Sequence, residues 1–364
     1  MEISNSGENA KISQNVVTLS IDVMGGDYAP DEIIKGINLF AKTNGDVHFL
    51  LHGIENEINK RLAAAPDIKN YTIIHSDEVV GMDAKPSQAM RRKNTSMWGA
   101  IESVKKNVAH AAVSAGNTGA LMAISNLQLR TLKGVHRPAI TASWPNPNGG
   151  RSVVLDVGAN VDSDPDQLVE FAIMGEAFAK AIYDIKEPSI GLLNVGTEDQ
   201  KGHEEVREAM RLLREHGETL GLNVYGFVEG NDISMGTTDV VVTDGFTGNI
   251  ALKSAEGAAK FIAKLLKDSL KADPLSMLGA VIASNGFNRL KKIMDPANFN
   301  GGVFLGLNGL VVKSHGGTNA KGFANALEVA LKLAKSDYNK FIANNLERLE
   351  RVRSEVKEPA MADK

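Results

Sequence analysis

Short apolar runs rich in Val, Ile and Leu alternate with segments of helical pattern along almost the whole chain, and few architectures satisfy such an alternation. Val16–Val23 reads as a strand, followed by a helix that opens near Pro30 and runs to about Lys42. Strand Val47–Leu51 precedes helix Ile54–Ala65, and Tyr71–His75 precedes a helix over Ser96–Lys106. Ala111–Ser114 leads into Ala120–Leu129, and Val153–Asp156 into Pro165–Tyr183. Ile190–Asn194 leads into a helix from about Lys201 to His216, and Val240–Thr243 into a helical region after Asn249. Strands that are apolar on both sides leave no face for water, so helices must cover the sheet above and below. The expected fold is α/β, a mostly parallel sheet in an αβα sandwich. One domain is expected over 16–348, ending in the long helix Asn319–Arg348, with tails at 1–15 and 349–364. Residues 1–15 lack the apolar core of a signal peptide, and no apolar run reaches the ~20 residues of a spanning helix.

Two helix starts carry capping chemistry. Asp164-Pro165-Asp166-Gln167 combines a cap, a proline at the first helical position and a Gln three residues after the cap. Thr197-Glu198-Asp199-Gln200 has the same capping-box spacing and places Lys201 just inside a helix. Both lie after strands, at the carboxyl edge where open α/β sheets bind ligands.

The region 251–296 breaks the alternation. Two helical stretches follow one another, interrupted at Asp273-Pro274, and read as a projecting helical hairpin. Lys253, Lys260, Lys264, Lys267 and Lys271 recur at helical spacing on one side of it. Its tip, Pro274–Ala283, is apolar and flanked by Lys267 and Lys271 before it and Arg289, Lys291 and Lys292 after it. Core packing is one reading of such a run. An interfacial membrane anchor is the other, and the flanking cations favour it.

The chemistry concentrates in glycine-bearing turns between strands and helices. These are Asp22-Val23-Met24-Gly25-Gly26-Asp27, Ser114-Ala115-Gly116-Asn117-Thr118-Gly119, Asp156-Val157-Gly158-Ala159-Asn160, Asn194-Val195-Gly196-Thr197 and Asp244-Gly245-Phe246-Thr247-Gly248-Asn249. Glycine lets backbone N–H groups approach an anion, and a helix N-terminus adds a favourable dipole. Five such loops, each with Asn, Thr or Asp nearby, point to an oxyanion site. Lys201, beyond a glycine loop, is placed to neutralise phosphate or a developing oxyanion.

Other chemistries find less support. The chain contains no cysteine, which excludes disulfides, thiolate metal sites and a cysteine nucleophile. No segment matches a P-loop, a GxGxxG fingerprint, HExxH or a GxSxG elbow. His48 and His52 would stand ~13 Å apart on a strand, so no metal site is expected. His136 and His315 sit in polar, glycine- or proline-bearing contexts, and His315 is the better functional candidate. Lys and Arg total 40 against 44 Asp and Glu, so no basic field for nucleic acid exists. Arg91-Arg92-Lys93 is a local basic cluster.

The block Ile21-Asp22-Val23-Met24-Gly25-Gly26-Asp27-Tyr28-Ala29-Pro30 resembles the opening motif of the bacterial phosphate acyltransferases of phospholipid synthesis. The likeness continues through Ser114–Ala120, Val154–Asn160, Asn194–Gly202, Asp244–Asn249 and Leu305–Gly316, in family order. The resemblance implies transfer of a fatty acyl group from acyl carrier protein to inorganic phosphate, giving acyl phosphate. It implies an isopropylmalate dehydrogenase/phosphotransacetylase-like fold, no cofactor and no metal. It further implies a cytoplasmic homodimer, peripherally attached to an anionic membrane surface and supplying a membrane glycerol-phosphate acyltransferase. Carried over from the family, Lys201 and Asn249 are the expected catalytic residues. Gly25, Gly26, Asn117, Thr118 and His315 occupy matching motifs as expected phosphate- or substrate-binding positions. Two other classes share parts of this pattern: an NAD- and metal-dependent decarboxylating dehydrogenase, and a non-catalytic membrane-attached adaptor for carrier protein.

Overall fold

The computed structural model describes residues 16–357 apart from 296, 298 and 299. The tail expected at 1–15 and residues 358–364 lie outside the described residues. Where the sequence reading drew one domain over 16–348, the chain divides into two compact units. The first comprises the residues up to Arg130 with Gly309–Lys335, and the second Thr131–Asn308 with the residues from Ser336 on.

In chain order, the first unit opens with β1 (Thr18–Asp22), α1 (Asp31–Ala41), β2 (His48–Gly53), α2 (Glu55–Leu62) and β3 (Tyr71–His75). It continues with α3 (Pro86–Ala89), α4 (Ser96–Lys105), β4 (Ala111–Ser114) and α5 (Thr118–Leu129). The second unit then supplies β5 (Ala139–Ile140), β6 (Ala142–Pro145), β7 (Arg151–Leu155), α6 (Pro165–Tyr183), β8 (Ser189–Leu193) and α7 (Glu204–Leu220). There follow β9 (Asn223–Val228), α8 (Gly230–Met235), β10 (Val240–Val242), α9 (Gly245–Leu270), α10 (Pro274–Ile282), α11 (Ser284–Met294) and β11 (Gly302–Leu305). The chain returns to the first unit for β12 (Leu310–Lys313) and α12 (Ala320–Ala334) and closes in the second with α13 (Tyr338–Lys357).

Within the first unit the strands run in the order β3-β2-β1-β4-β12, all parallel. The register sets Asp22 opposite both His52 and Ser114, and Ser114 opposite Lys313, at one carboxyl edge. Leu19, Ile21, Leu51, Val113 and Val312 are wholly buried, as expected for strands covered on both faces. The second unit carries the order β6-β7-β10-β8-β9. Strands β7, β10, β8 and β9 are parallel there, and β6 runs antiparallel to β7. Helix α6 packs on β7 and β10 and is buried nearly all round. It begins where the sequence placed it, because the capping box forms: Asp164 Oδ1 accepts the Gln167 amide at 2.8 Å and Gln167 Oε1 accepts the Asp164 amide at 3.2 Å.

Several expectations are corrected. The helix expected from Lys201 begins at Glu204, with His203 as its cap. The chain at Gly202 adopts φ +88°, a left-handed turn that suits glycine and ends any helix begun upstream. Residues 197–203 are therefore a turn, and the capping box at Thr197 does not form. The helix expected over Asn319–Arg348 is two helices, and α13 runs on to Lys357 where a tail was expected from 349.

The hairpin expected over 251–296 starts earlier, at Gly245, and holds three helices. Of α9 only Gly245 and Gly248 are buried, and no residue of α10 is. Leu275, Met277, Leu278, Val281 and Ile282 are all exposed, so burial of the tip in the core of the chain is excluded. Lys253 pairs with Glu256 and Lys264 with Asp268, leaving Lys260, Lys267 and Lys271 without an acidic partner among the described residues. The side chains of Lys291 and Lys292 lie outside those described. Among the described residues, no helix is long and apolar enough to cross a membrane.

Candidate active site

At the carboxyl edge of the first unit, β1 ends in Asp22, 1% exposed. Its carboxylate accepts the Ser96 hydroxyl at 2.6 Å and the Ser114 hydroxyl at 2.7 Å. The Gly25 amide donates to the Asp22 backbone carbonyl at 3.4 Å. Burial pushes the Asp22 carboxyl up, and the two hydroxyls, with the nearby backbone of Met24 and Gly25, pull against that shift. The Ser114 hydroxyl also accepts the Gly116 amide at 3.0 Å, and the Asp27 amide reaches the Gly316 carbonyl at 2.9 Å. The Gly25-Gly26, Asn117-Thr118 and His315-Gly316 segments thus share one edge. Their roles differ. Asn117 caps α5, its Oδ1 accepting the Ala120 amide at 2.9 Å, and its Nδ2 donates to the Met82 carbonyl at 2.6 Å. Its amide is occupied. The N–H groups of Thr118 and Gly119, at the exposed start of the helix, have no partner among the described residues. His315 accepts the Gly317 amide on Nδ1 at 3.2 Å, which leaves the proton of the neutral ring on Nε2.

The second unit repeats the device. Asp156, wholly buried at the end of β7, accepts the amides of Ile140 (3.0 Å), Gly158 (3.2 Å), Ala159 (3.0 Å) and Asn160 (2.7 Å). The Asn160 side-chain amide adds a bond at 2.9 Å. Burial raises the Asp156 carboxyl, again against this ring of donors. The loop amides that the sequence suggested for an external anion are therefore turned inward, onto the protein's own carboxylate.

The start of α9 is pressed against this loop. Asp244 caps it, accepting the Thr247 amide at 2.7 Å and the Thr247 hydroxyl at 2.8 Å. Gly248 is required there, because a Cβ would collide with the Asp156 carbonyl oxygen. Asn249 is exposed, lies against Gly158, and its side-chain amide has no hydrogen-bond partner among the described residues. Sheet order sets the β10 loop between those of β7 and β8. With ~4.8 Å between adjacent strands, the Asn249 loop and the Lys201 loop are neighbours on one edge.

Lys201 is held in a turn, its amide bonded to the Glu198 carbonyl at 3.0 Å and its carbonyl accepting Asn194 Nδ2 at 3.1 Å. Its ammonium, half-exposed, pairs with Glu198 at 2.8 Å. Glu198, with Glu229 further off, raises the Lys201 pKa and keeps it charged. What the sequence reading missed are the two buried acids, Asp22 and Asp156. The signal was present: an acid closing an apolar strand before a glycine. Among the described residues, no three of His, Asp and Glu group to hold a metal ion.

The arrangement in the second unit offers a cation and an unpaired amide on adjacent loops, suited to a carbonyl oxygen gaining negative charge. The family model described as "Fatty acid synthesis protein" matches residues 17–341. The phosphate acyltransferase of Caulobacter vibrioides is 54% identical over 348 residues, spanning 95% of this chain and 96% of that protein. That of Rhizobium meliloti is 50% identical over 336 residues, 92% of this chain and 96% of its own. A phosphotransacetylase from Streptococcus pyogenes superposes with a TM-score of 0.60 at 18% identity, covering 90% of this chain and 96% of that one. The EutD phosphotransacetylase from Staphylococcus aureus gives 0.58 at 17%, covering 87% and 94%. These structures establish the phosphotransacetylase-like α/β fold. The matches along almost the whole sequence establish more: the chain is an acyltransferase and belongs to the phosphate acyltransferase family of fatty acid and phospholipid synthesis.

Proposed function

We propose that the enzyme moves a fatty acyl group from the thioester of acyl carrier protein to inorganic phosphate, releasing acyl phosphate. The observation that carries this reading is the placement of Lys201, after β8, and of the unpartnered Asn249 amide, in the first turns of α9 after β10, at neighbouring strand ends of one sheet edge. A phosphate oxygen attacks the thioester carbonyl, forming a C–O bond and a tetrahedral oxyanion. Lys201 and Asn249 stabilise that oxyanion, and its collapse breaks the C–S bond and expels the carrier thiolate. Without a cysteine, the chain favours direct attack in a ternary complex, where orientation replaces a covalent intermediate. The exposed N-terminus of α5 at Thr118, with Gly25, Gly26, Asn117 and His315 around it, is the proposed phosphate- or substrate-binding edge of the first unit.

The catalytic machinery draws on the α/β units, and the helices α10 and α11 with the outer part of α9 serve dimerisation and membrane contact. Phe261, Ile262, Leu265 and Leu266 on α9 and the exposed apolar residues of α10 support a homodimer and peripheral attachment to an anionic membrane from the cytoplasm. Attachment would hand a reactive product to a membrane glycerol-phosphate acyltransferase. Arg91, Lys260, Lys267 and Lys271, unpaired among the described residues, are suited to steer an acidic carrier protein.

Kinetics of two variants test the site. Lys201→Ala and Asn249→Ala should each lower kcat about a hundredfold to a thousandfold, as loss of one oxyanion donor does. Both side chains are exposed, so the melting temperature should hold. Full activity in either variant removes that residue from the mechanism.

A further inference from the structure

We propose that Val161, Phe246 and Ile250 form the seat of the acyl chain, the subsite that sets chain-length preference; the assignment rests on the acyl-transfer reading above. All three are exposed, at 72%, 62% and 49%. They are contiguous. The Phe246 amide donates to the Val161 carbonyl at 3.3 Å, tying the first turn of α9 to the loop after β7. Phe246 and Ile250 are four residues apart and share a helix face on which Asn249 also lies. Asn249 stands beside Gly158, where a Cβ on that glycine would meet its side chain at 3.6 Å, in the same loop as Val161. The apolar ledge therefore begins beside the unpaired amide assigned to the reacting carbonyl.

Connectivity of the substrate selects the occupant. The carbonyl carbon polarised at Asn249 carries three other groups at the moment of reaction: phosphate oxygen, thioester sulfur and the hydrocarbon tail. The first is charged and the second leads to a polar carrier arm, so neither gains from Phe246. The first methylenes of the tail must lie within a few bond lengths of the Asn249 amide, where the apolar ledge lies. Along α9, Phe246 and Ile250 are separated by about 6 Å of helix axis, enough for several methylenes. Each methylene seated there favours the complex about fourfold.

The test compares acetyl, octanoyl and palmitoyl thioesters of pantetheine with phosphate, trapping the product as hydroxamate. In the wild type, kcat/KM should rise with chain length. In Phe246→Ser with Ile250→Ser, the palmitoyl-to-acetyl ratio should fall about tenfold to a hundredfold. Phe246→Leu should recover most of it. Val161→Ser, a change on the loop alone, should lower the ratio in the same direction, so the answer does not depend on the double variant folding. Tyr225→Ser, removing an equally exposed aromatic from β9, should leave the ratio unchanged. An unaltered ratio in both the Val161 and the double variants overturns the proposal. So does a change in oligomeric mass of the double variant, which would place these residues between two copies. Absence of hydroxamate from every thioester with the wild type is a different outcome, the failure of the acyl-transfer reading itself.

Discussion

The Asp156 carboxylate takes up three backbone N–H groups of its own loop, and the Asp22 carboxylate is held by the Ser96 and Ser114 hydroxyls. A glycine-rich turn after a strand is an anion nest by geometry, but the anion in the turn after β7 is an internal carboxylate. In the proposed reading, the donors for the reacting carbonyl are consequently side chains, Lys201 and Asn249. Residue letters and spacing show an acid beside a glycine; they do not show which way the carboxylate turns. That depends on Ser96 and Ser114, far along the chain. His136 gives a titratable counterpart. Its amide and its Nδ1 both reach the wholly buried carboxylate of Glu170, at 3.0 Å and 2.6 Å. Glu170, with Asp164 and Asp166 nearby, raises the His136 pKa. A raised value stabilises the fold fully below the ordinary histidine pKa of about 6.5, and the benefit is lost as pH climbs through the folded value. The ring is more than half exposed, so solvent screens part of the effect. His136→Gln should therefore melt below the wild type by a margin that is largest under that pH and shrinks above it. A margin that does not vary with pH would show that the pair is not charged in the fold.

Among elements, α9 and α10 carry the clearest consequence. Leu275, Val281 and Ile282 are at least 70% exposed, an unusual concentration of apolar surface for side chains with no cover in their own chain. Inserting each into a lipid boundary would contribute roughly 1.5–3 kcal/mol at most, and Lys267, Lys271 and Arg289 ~1 kcal/mol each on anionic lipid. Leu278→Glu with Ile282→Glu should abolish sedimentation with anionic vesicles while leaving the melting temperature intact. Unfolding or loss of a dimer in that variant would mean the tip is packed in protein. The same elements show what the chain reveals of itself. Helix α6 was legible residue for residue because Asp164, Pro165 and Gln167 state its start chemically. Strands β5 and β6 were not: at two and four residues they hold no periodicity, and their antiparallel partners are set by tertiary pairing. The break between α12 and α13 carries no glycine or proline. The Ser336 hydroxyl accepts the Tyr338 amide at 3.4 Å, the Asp337 carbonyl accepts the Lys340 amide at 2.9 Å, and Tyr338 is buried. Tertiary anchoring, rather than local propensity, turns the chain.

For the molecule as a whole, the alternation of apolar strands and helices was sufficient to reach an α/β fold, because only covered parallel sheets bury both strand faces. The division into two units was not legible, since the chain passes between them at Arg130, Gly309 and Ser336 without a linker of distinctive composition. Membership of the phosphate acyltransferase family follows from motifs that span both units. What those motifs leave to chemistry is the pair of substrates, and one measurement addresses it. The purified protein is incubated with palmitoyl-acyl carrier protein and inorganic phosphate, and hydroxylamine is added to trap acyl phosphate as hydroxamate. Hydroxamate should accumulate in step with free carrier thiol, and only when phosphate is present. Thioester that persists, or that is cleaved to free fatty acid at a rate independent of phosphate, would contradict direct acyl transfer to phosphate.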